Sequence, residues 1–88
     1  MSKLITIVDD EEDILEALSV FLKKNGYDVN TYTNATDFFK NLKKKTPDLF
    51  ILDLMLPDMD GYDICKNLKN DAKYSSIPVI MLSAKSEE

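Results

Sequence analysis

Apolar and polar residues alternate along this chain in blocks that predict four strands and three helices. Short apolar runs bounded by charged or turn-forming residues predict strands at residues 4–8, 49–52 and 79–82, and alternation predicts one at residues 29–33. Helical spacing of apolar residues predicts helices at residues 11–25, 36–44 and 62–70. The expected inward-facing helix residues are Phe38, Phe39, Leu42, Ile64, Cys65 and Leu68.

The strict alternation of strand and helix predicts an α/β fold. Such an order demands a parallel sheet with right-handed crossovers, and the expected strand order is 2-1-3-4. Residues 49–52 are apolar throughout and residues 4–8 are apolar except for Thr6, as in strands that are covered on both faces. Residues 29–33 alternate, as in a strand at the edge.

Length and composition limit the kinds of function. The 88 residues suit one domain, and an apolar content of 44% is normal for a globular chain. A net charge of -5 and the absence of arginine argue against a nucleic-acid surface, and the basic run Lys43–Lys45 is expected to form the last turn of a helix. The single Cys65 suits a reducing cytosol, and we expect no leader, no membrane span and a cytoplasmic location.

Acidic residues follow two of the apolar runs. Asp9 and Asp10 come after the first strand and Asp53 after the third, so all three are expected at the carboxyl edge of the sheet. Oxygen ligands of this kind suit Mg²⁺, and a carboxylate beside that ion can act as a nucleophile toward phosphorus. Asp53 is the best candidate for the nucleophile, and Ser83 adds a hydroxyl after the fourth run.

The aspartates could instead only cap helices and turns. We favour capping for Asp58 and Asp60, which lie in a predicted turn at residues 57–61. For Asp9, Asp10 and Asp53 the shared position at strand ends favours a metal site.

Three segments carry a family resemblance: residues 7–12, 52–61 and 77–85. They resemble the receiver domain of bacterial two-component response regulators, which has a flavodoxin-like, doubly wound fold. The resemblance implies that Asp53 accepts a phosphoryl group from a sensor histidine kinase. It implies that Asp10 binds Mg²⁺ directly and Asp9 through water, with Asp53 and the backbone carbonyl of Met55 as the other ligands. Ser83 would be the switch hydroxyl, and Ala84 the small residue beside it.

The resemblance also implies a further helix, a fifth strand with a lysine, and a final helix, which these 88 residues do not include. Lys85 follows Ser83 too closely to replace that lysine. We therefore expect residues 1–88 to form a single receiver-like domain that is incomplete at its C-terminal side.

Two apolar surfaces predict self-association. Between Ile14 and Leu22 only Glu16 and Ser19 are polar, so the first helix is apolar on nearly every side. The fourth strand is apolar throughout although it would be an edge, and both surfaces favour pairing with a second copy.

Two functions remain open from the sequence. One is a signalling receiver, which is not an enzyme on a separate substrate, and the other is an assembly module without competent phosphorylation. A phosphatase with an Asp nucleophile is weaker, because no second Asp lies two residues after Asp53.

Overall fold

Four strands and three helices alternate in a computed structural model that describes residues 2–82. The elements are β1 (Leu4–Val8), α1 (Glu12–Lys24), β2 (Asp28–Tyr32), α2 (Ala35–Leu42), β3 (Leu49–Asp53), α3 (Gly61–Lys69) and β4 (Val79–Leu82). The strands form one parallel sheet in the order β2-β1-β3-β4. The predicted elements and topology are confirmed, with ends displaced by at most two residues.

The sheet register determines which residues meet at its carboxyl edge. Val8 of β1 pairs with Leu52 of β3, so Asp9 and Asp53 follow paired positions on neighbouring central strands. Asp53 in turn pairs with Leu82 of β4. Parallel pairing therefore brings both predicted acidic positions to one edge of the sheet.

The described helices cover the two faces of the sheet unequally. On one face, α2 and α3 pack over β1 and β3 through a cluster that includes Phe38, Phe50, Leu52 and Ile64. On the other face, α1 packs through a smaller cluster of Ile5, Ile7, Leu15 and Ile51. Large apolar side chains remain exposed in and beside α1 and in β4: Val20, Phe21, Tyr27 and Ile80.

Two backbone hydrogen bonds end the first helix. The N–H of Gly26, a residue at φ +93°, donates to the Lys23 carbonyl, and the Tyr27 N–H donates to the Leu22 carbonyl. Together these bonds form a Schellman motif. None of the helices in residues 2–82 is long and apolar enough to cross a bilayer.

One prediction at the ends of α2 needs correction. Asn34 caps the N-terminus by accepting the Asp37 N–H at 2.8 Å. The helix ends at Leu42, with Lys43 as its C-cap, because the Lys44 N–H bonds to Asn41 in a tighter turn. The basic run therefore begins at the cap and continues beyond the helix, instead of forming its last turn.

Candidate metal and phosphoacceptor site

Three carboxylates converge at the carboxyl edge of the sheet. Asp53 is the last residue of β3, and Asp9 and Asp10 follow β1 directly. One oxygen of each side chain lies within 4.8 Å of the others. The structure thus brings together the three side chains that the sequence proposed as a metal site.

The three acids differ in exposure. Asp9 and Asp53 are 1% and 2% exposed, whereas Asp10 is exposed to solvent. The Glu11 N–H donates a hydrogen bond of 2.8 Å to Oδ1 of Asp9, which orients that carboxylate at the start of α1. The cluster is therefore a buried pair of carboxylates with an exposed third one beside it.

The chemistry of this donor set fits a hard divalent cation. Two unit negative charges at about this separation repel each other by about 3 kcal/mol at an effective dielectric constant near 20. A cation bound between them would offset that repulsion, and a set made only of carboxylate oxygens is one that Mg²⁺ accepts. Asp9, Asp10 and Asp53 are the residues that would hold it, with the Met55 carbonyl as the fourth ligand that the resemblance implies.

The loop between β3 and α3 lies beside Asp53. The Met55 N–H donates to Oδ1 of Asp53 at 3.4 Å, and the Met55 backbone forms an antiparallel bridge with Asp60. The Met55 side chain is 66% exposed. It is therefore the backbone of Met55 that the fold places next to the acidic cluster.

The first residue of α3 lies directly against the end of β3. The Gly61 N–H donates to the Leu54 carbonyl at 2.7 Å. A Cβ on Gly61 would collide with the Asp53 carbonyl oxygen and would lie 2.8 Å from the Leu54 Cα. Only glycine permits this close approach between α3 and the strand that carries Asp53.

The two aspartates of the turn act as caps, as predicted. Asp60 is the N-cap of α3 and accepts the Tyr62 N–H at 2.8 Å. Asp58 accepts hydrogen bonds from the first turn of α2, and these bonds, above all that from the Thr36 hydroxyl, lower the pKa of Asp58 from 3.8 to about 2. Sequence reasoning found the capping role of Asp58 but not its partner, since that partner belongs to another helix.

The comparison with protein families agrees with this geometry. The family model described as the response regulator receiver domain matches residues 5–88. This chain belongs to the response regulator receiver family. The resemblance and the fold that it implies are therefore confirmed.

Known proteins show the same relationship. The chain is 42% identical, over its whole length and 36% of the relative, to the alkaline phosphatase synthesis transcriptional regulatory protein PhoP of Bacillus subtilis. It superposes with a TM-score of 0.90 on the signal receiver domain of a histidine kinase from Syntrophus aciditrophicus, at 35% identity, over 98% of this chain and 65% of that one. With the chemotaxis response regulator CheY4 of Vibrio cholerae the TM-score is 0.92 at 25% identity, over 99% and 72% of the two chains.

This receiver chain spans about a third of the length of the curated relatives that it matches. Of the site residues that the resemblance implies, Asp9, Asp10, Asp53 and Met55 lie together at one edge of the sheet. Ser83, Ala84 and Lys85 lie outside the described residues 2–82. Leu82, which precedes Ser83, pairs with Asp53, so β4 ends beside the acidic cluster.

Proposed function

We propose that this chain is a phosphoacceptor, in which Asp53 receives a phosphoryl group from a sensor histidine kinase in a Mg²⁺-dependent reaction. One observation carries the proposal: the buried Asp53 carboxylate lies within 4.8 Å of Asp9 and Asp10, in a chain of the receiver family. The family match supports a two-component role in general. The identity of the acceptor and the metal rest on the geometry of the cluster.

In the proposed reaction an Asp53 carboxylate oxygen attacks the phosphorus atom of a phosphohistidine. The new O–P bond forms as the P–N bond breaks, and the imidazole nitrogen keeps the electron pair of the broken bond. Bound Mg²⁺ would supply positive charge for the carboxylates and for the phosphoryl oxygens. Asp10 would bind the ion directly and Asp9 through water, while the Glu11 N–H keeps Asp9 oriented. Ser83 is proposed as the switch hydroxyl.

The same proposal defines what the chain does not do. It is a cytoplasmic phosphoacceptor and not an enzyme acting on a separate substrate. Its net charge of -5 makes a nucleic-acid contact by this chain unfavourable. The comparisons do not favour the alternative of an assembly module without phosphoryl chemistry.

Self-association is a separate proposal, favoured by the exposed apolar residues of α1 and β4. Phe21 is 61% exposed and Ile80 is 48% exposed, and exposed apolar groups of this size are candidates for an interface. A second copy of the chain could cover both surfaces without occupying the acidic cluster.

The metal part of the proposal can be tested by titrating the folded chain with Mg²⁺. We expect NMR shift changes at Asp10, Asp53 and Met55 and a rise in melting temperature, because an ion that binds only the native state stabilises it. Asp53→Asn should abolish the rise, whereas Asp63→Asn, an exposed change in α3, should retain it. A folded chain that does not respond to millimolar Mg²⁺ contradicts the metal site.

The acceptor can be identified by intact mass after treatment with acetyl phosphate and Mg²⁺. We expect at most one added phosphoryl group, present in the wild type and in Asp63→Asn and absent in Asp53→Asn. Incorporation into Asp53→Asn at the wild-type rate would show that another residue accepts the group.

A further inference from the structure

Asp58 connects two parts of the fold that are distant in sequence. It lies in the loop between β3 and α3, and its carboxylate binds the first turn of α2. Oδ1 accepts the Ala35 N–H at 2.8 Å, and Oδ2 accepts the Thr36 N–H at 2.9 Å and the Thr36 hydroxyl at 2.6 Å. We call these three hydrogen bonds the Asp58–α2 contact.

The N-terminus of α2 does not need Asp58 for ordinary capping. Asn34 is the N-cap and accepts the Asp37 N–H from its own helix. Ala35 and Thr36 give their N–H groups to a residue more than twenty positions later in the chain. The Asp58–α2 contact therefore joins the loop to α2 in addition to capping the first turn of the helix.

The joined loop is the one that borders the acidic cluster. It leaves β3 at Asp53, passes Met55, and returns through the Met55–Asp60 bridge to the Gly61 N–H, which bonds to Leu54. These bonds close the base of the loop. Asp58 lies between Met55 and Asp60, so its bonds to α2 hold the part of the loop that projects from that base.

The carboxylate of Asp58 is suited to a permanent contact. Its hydrogen bonds from Thr36 and Ala35 lower its pKa to about 2, so it stays charged throughout the neutral and mildly acidic range. Charge-assisted hydrogen bonds of this kind are stronger and shorter than neutral ones.

We propose that Asp58 is a positioning residue, which fixes the loop to α2 and thereby holds the Met55 backbone against the acidic cluster. The inference rests on the proposed metal site, because Met55 matters there only as a ligand. It predicts that a change on α2, at a residue that touches neither metal nor phosphoryl group, weakens Mg²⁺ binding. Removing a group that hydrogen-bonds a metal ligand typically lowers metal affinity about tenfold or more, and Asp58, which acts on Met55 only through the loop, should have a smaller effect.

Thr36 offers a matched pair of variants for the test. Thr36→Val removes the hydroxyl donor with nearly the same shape, and Thr36→Ser keeps the donor. Asp58→Asn replaces one of the two acceptor oxygens by an NH₂ donor, which then faces an N–H donor of α2. This variant therefore disrupts the contact at its acceptor end. Gly26→Ala is the stability control, because it strains the end of α1 at positive φ and lies outside the loop.

The measurements are the Mg²⁺ dissociation constant and the hydrogen exchange rates of the Met55 and Gly61 amides. We expect Asp58→Asn to weaken Mg²⁺ binding by less than about tenfold and Thr36→Val to weaken it less still, with faster exchange at both amides in each variant. Thr36→Ser and Gly26→Ala should keep the wild-type Mg²⁺ affinity.

Two results would overturn the inference: wild-type affinity and exchange in folded Asp58→Asn, or an equal loss of affinity in Gly26→Ala. If the wild-type chain does not bind Mg²⁺ at all, the proposed function fails and exchange alone decides the positioning role. Faster exchange at Met55 and Gly61 in Asp58→Asn, but not in Gly26→Ala, then supports it, and unchanged exchange rejects it.

Discussion

Replacing Gly61 by alanine should disturb the acidic site through the backbone alone. The added Cβ would meet the carbonyl oxygen of Asp53 well inside van der Waals contact, the Leu54 Cα at 2.8 Å and the Asp53 carbonyl carbon at 3.0 Å. All three are backbone atoms at the end of a central strand, so none can rotate away. The start of α3 must therefore move by more than half an ångström, or the end of β3 must move with Asp53.

The expected loss of stability is moderate. Overpacking of this kind costs about 1 to 3 kcal/mol, and the higher helix propensity of alanine returns at most about 1 kcal/mol. A net loss of about 1 to 2 kcal/mol would lower the melting temperature of a domain of this size by roughly 5 to 15 °C. Because the displaced atoms adjoin Asp53, the affinity for Mg²⁺ should fall as well.

Thermal unfolding by circular dichroism and Mg²⁺ titration of the folded variant test both parts. Gly26→Ala makes the same chemical change where nothing lies within 4 Å, but at φ +93°, so its cost of about 1 to 2 kcal/mol is strain. It should lower the melting temperature and leave Mg²⁺ binding unchanged. Wild-type stability and Mg²⁺ affinity in Gly61→Ala would refute the expected backbone collision, as would an equal loss of Mg²⁺ affinity in Gly26→Ala.

Three further predictions concern other parts of the fold. Because hydrogen bonds lower the pKa of Asp58 from 3.8 to about 2, its carboxylate stabilises the folded state fully at a pH well above 3.8, and this contribution is lost as the pH falls toward 2. The urea midpoints of wild type and Asp58→Asn should therefore differ at pH 6 and converge near pH 2. Lys69→Met removes donors to the Ser75 and Ile77 carbonyls, at 3.2 and 2.9 Å, and should speed amide exchange before β4 without changing Mg²⁺ affinity. Phe21→Lys should shift light scattering toward monomer, and a monomeric wild type at high micromolar concentration would contradict self-association.

The sheet and the cluster could be predicted because both follow from general rules. Residues 49–52 are all apolar and residues 4–8 are apolar except for Thr6, a pattern typical of central strands covered on both faces. Once these strands are parallel neighbours, the residues that follow them must share an edge. The positions of Asp9 and Asp53 therefore needed no knowledge of loops or side-chain packing.

The contacts that shape the loop could not be predicted in the same way. Local turn chemistry predicts capping by Asp58, but its partners on α2 are set by how two loops meet in space. The sequence places Gly61 only at the end of a predicted turn, whereas the structure shows that it permits the close approach of α3 to the Asp53 backbone. Local patterns identify residue types that suit a role, and the packed fold alone determines their partners.

The apolar side chains of α1 outside its core contacts lie on two flanks of the helix, and these flanks have different neighbours. Val20 borders Thr31 and Thr33 on the β2 side, whereas Ile14 and Phe21, seven residues apart, share the flank directed away from β2.

Ile80 pairs with Ile51 of the α1-side cluster and so lies on the same face of the sheet as α1. A second copy that covers the flank of Phe21 would thus extend toward β4. Val20→Lys should then leave association unchanged where Phe21→Lys weakens it. Neither should alter Mg²⁺ binding, because both residues lie in the C-terminal half of α1, whereas Asp9 and Asp10 precede its first turn.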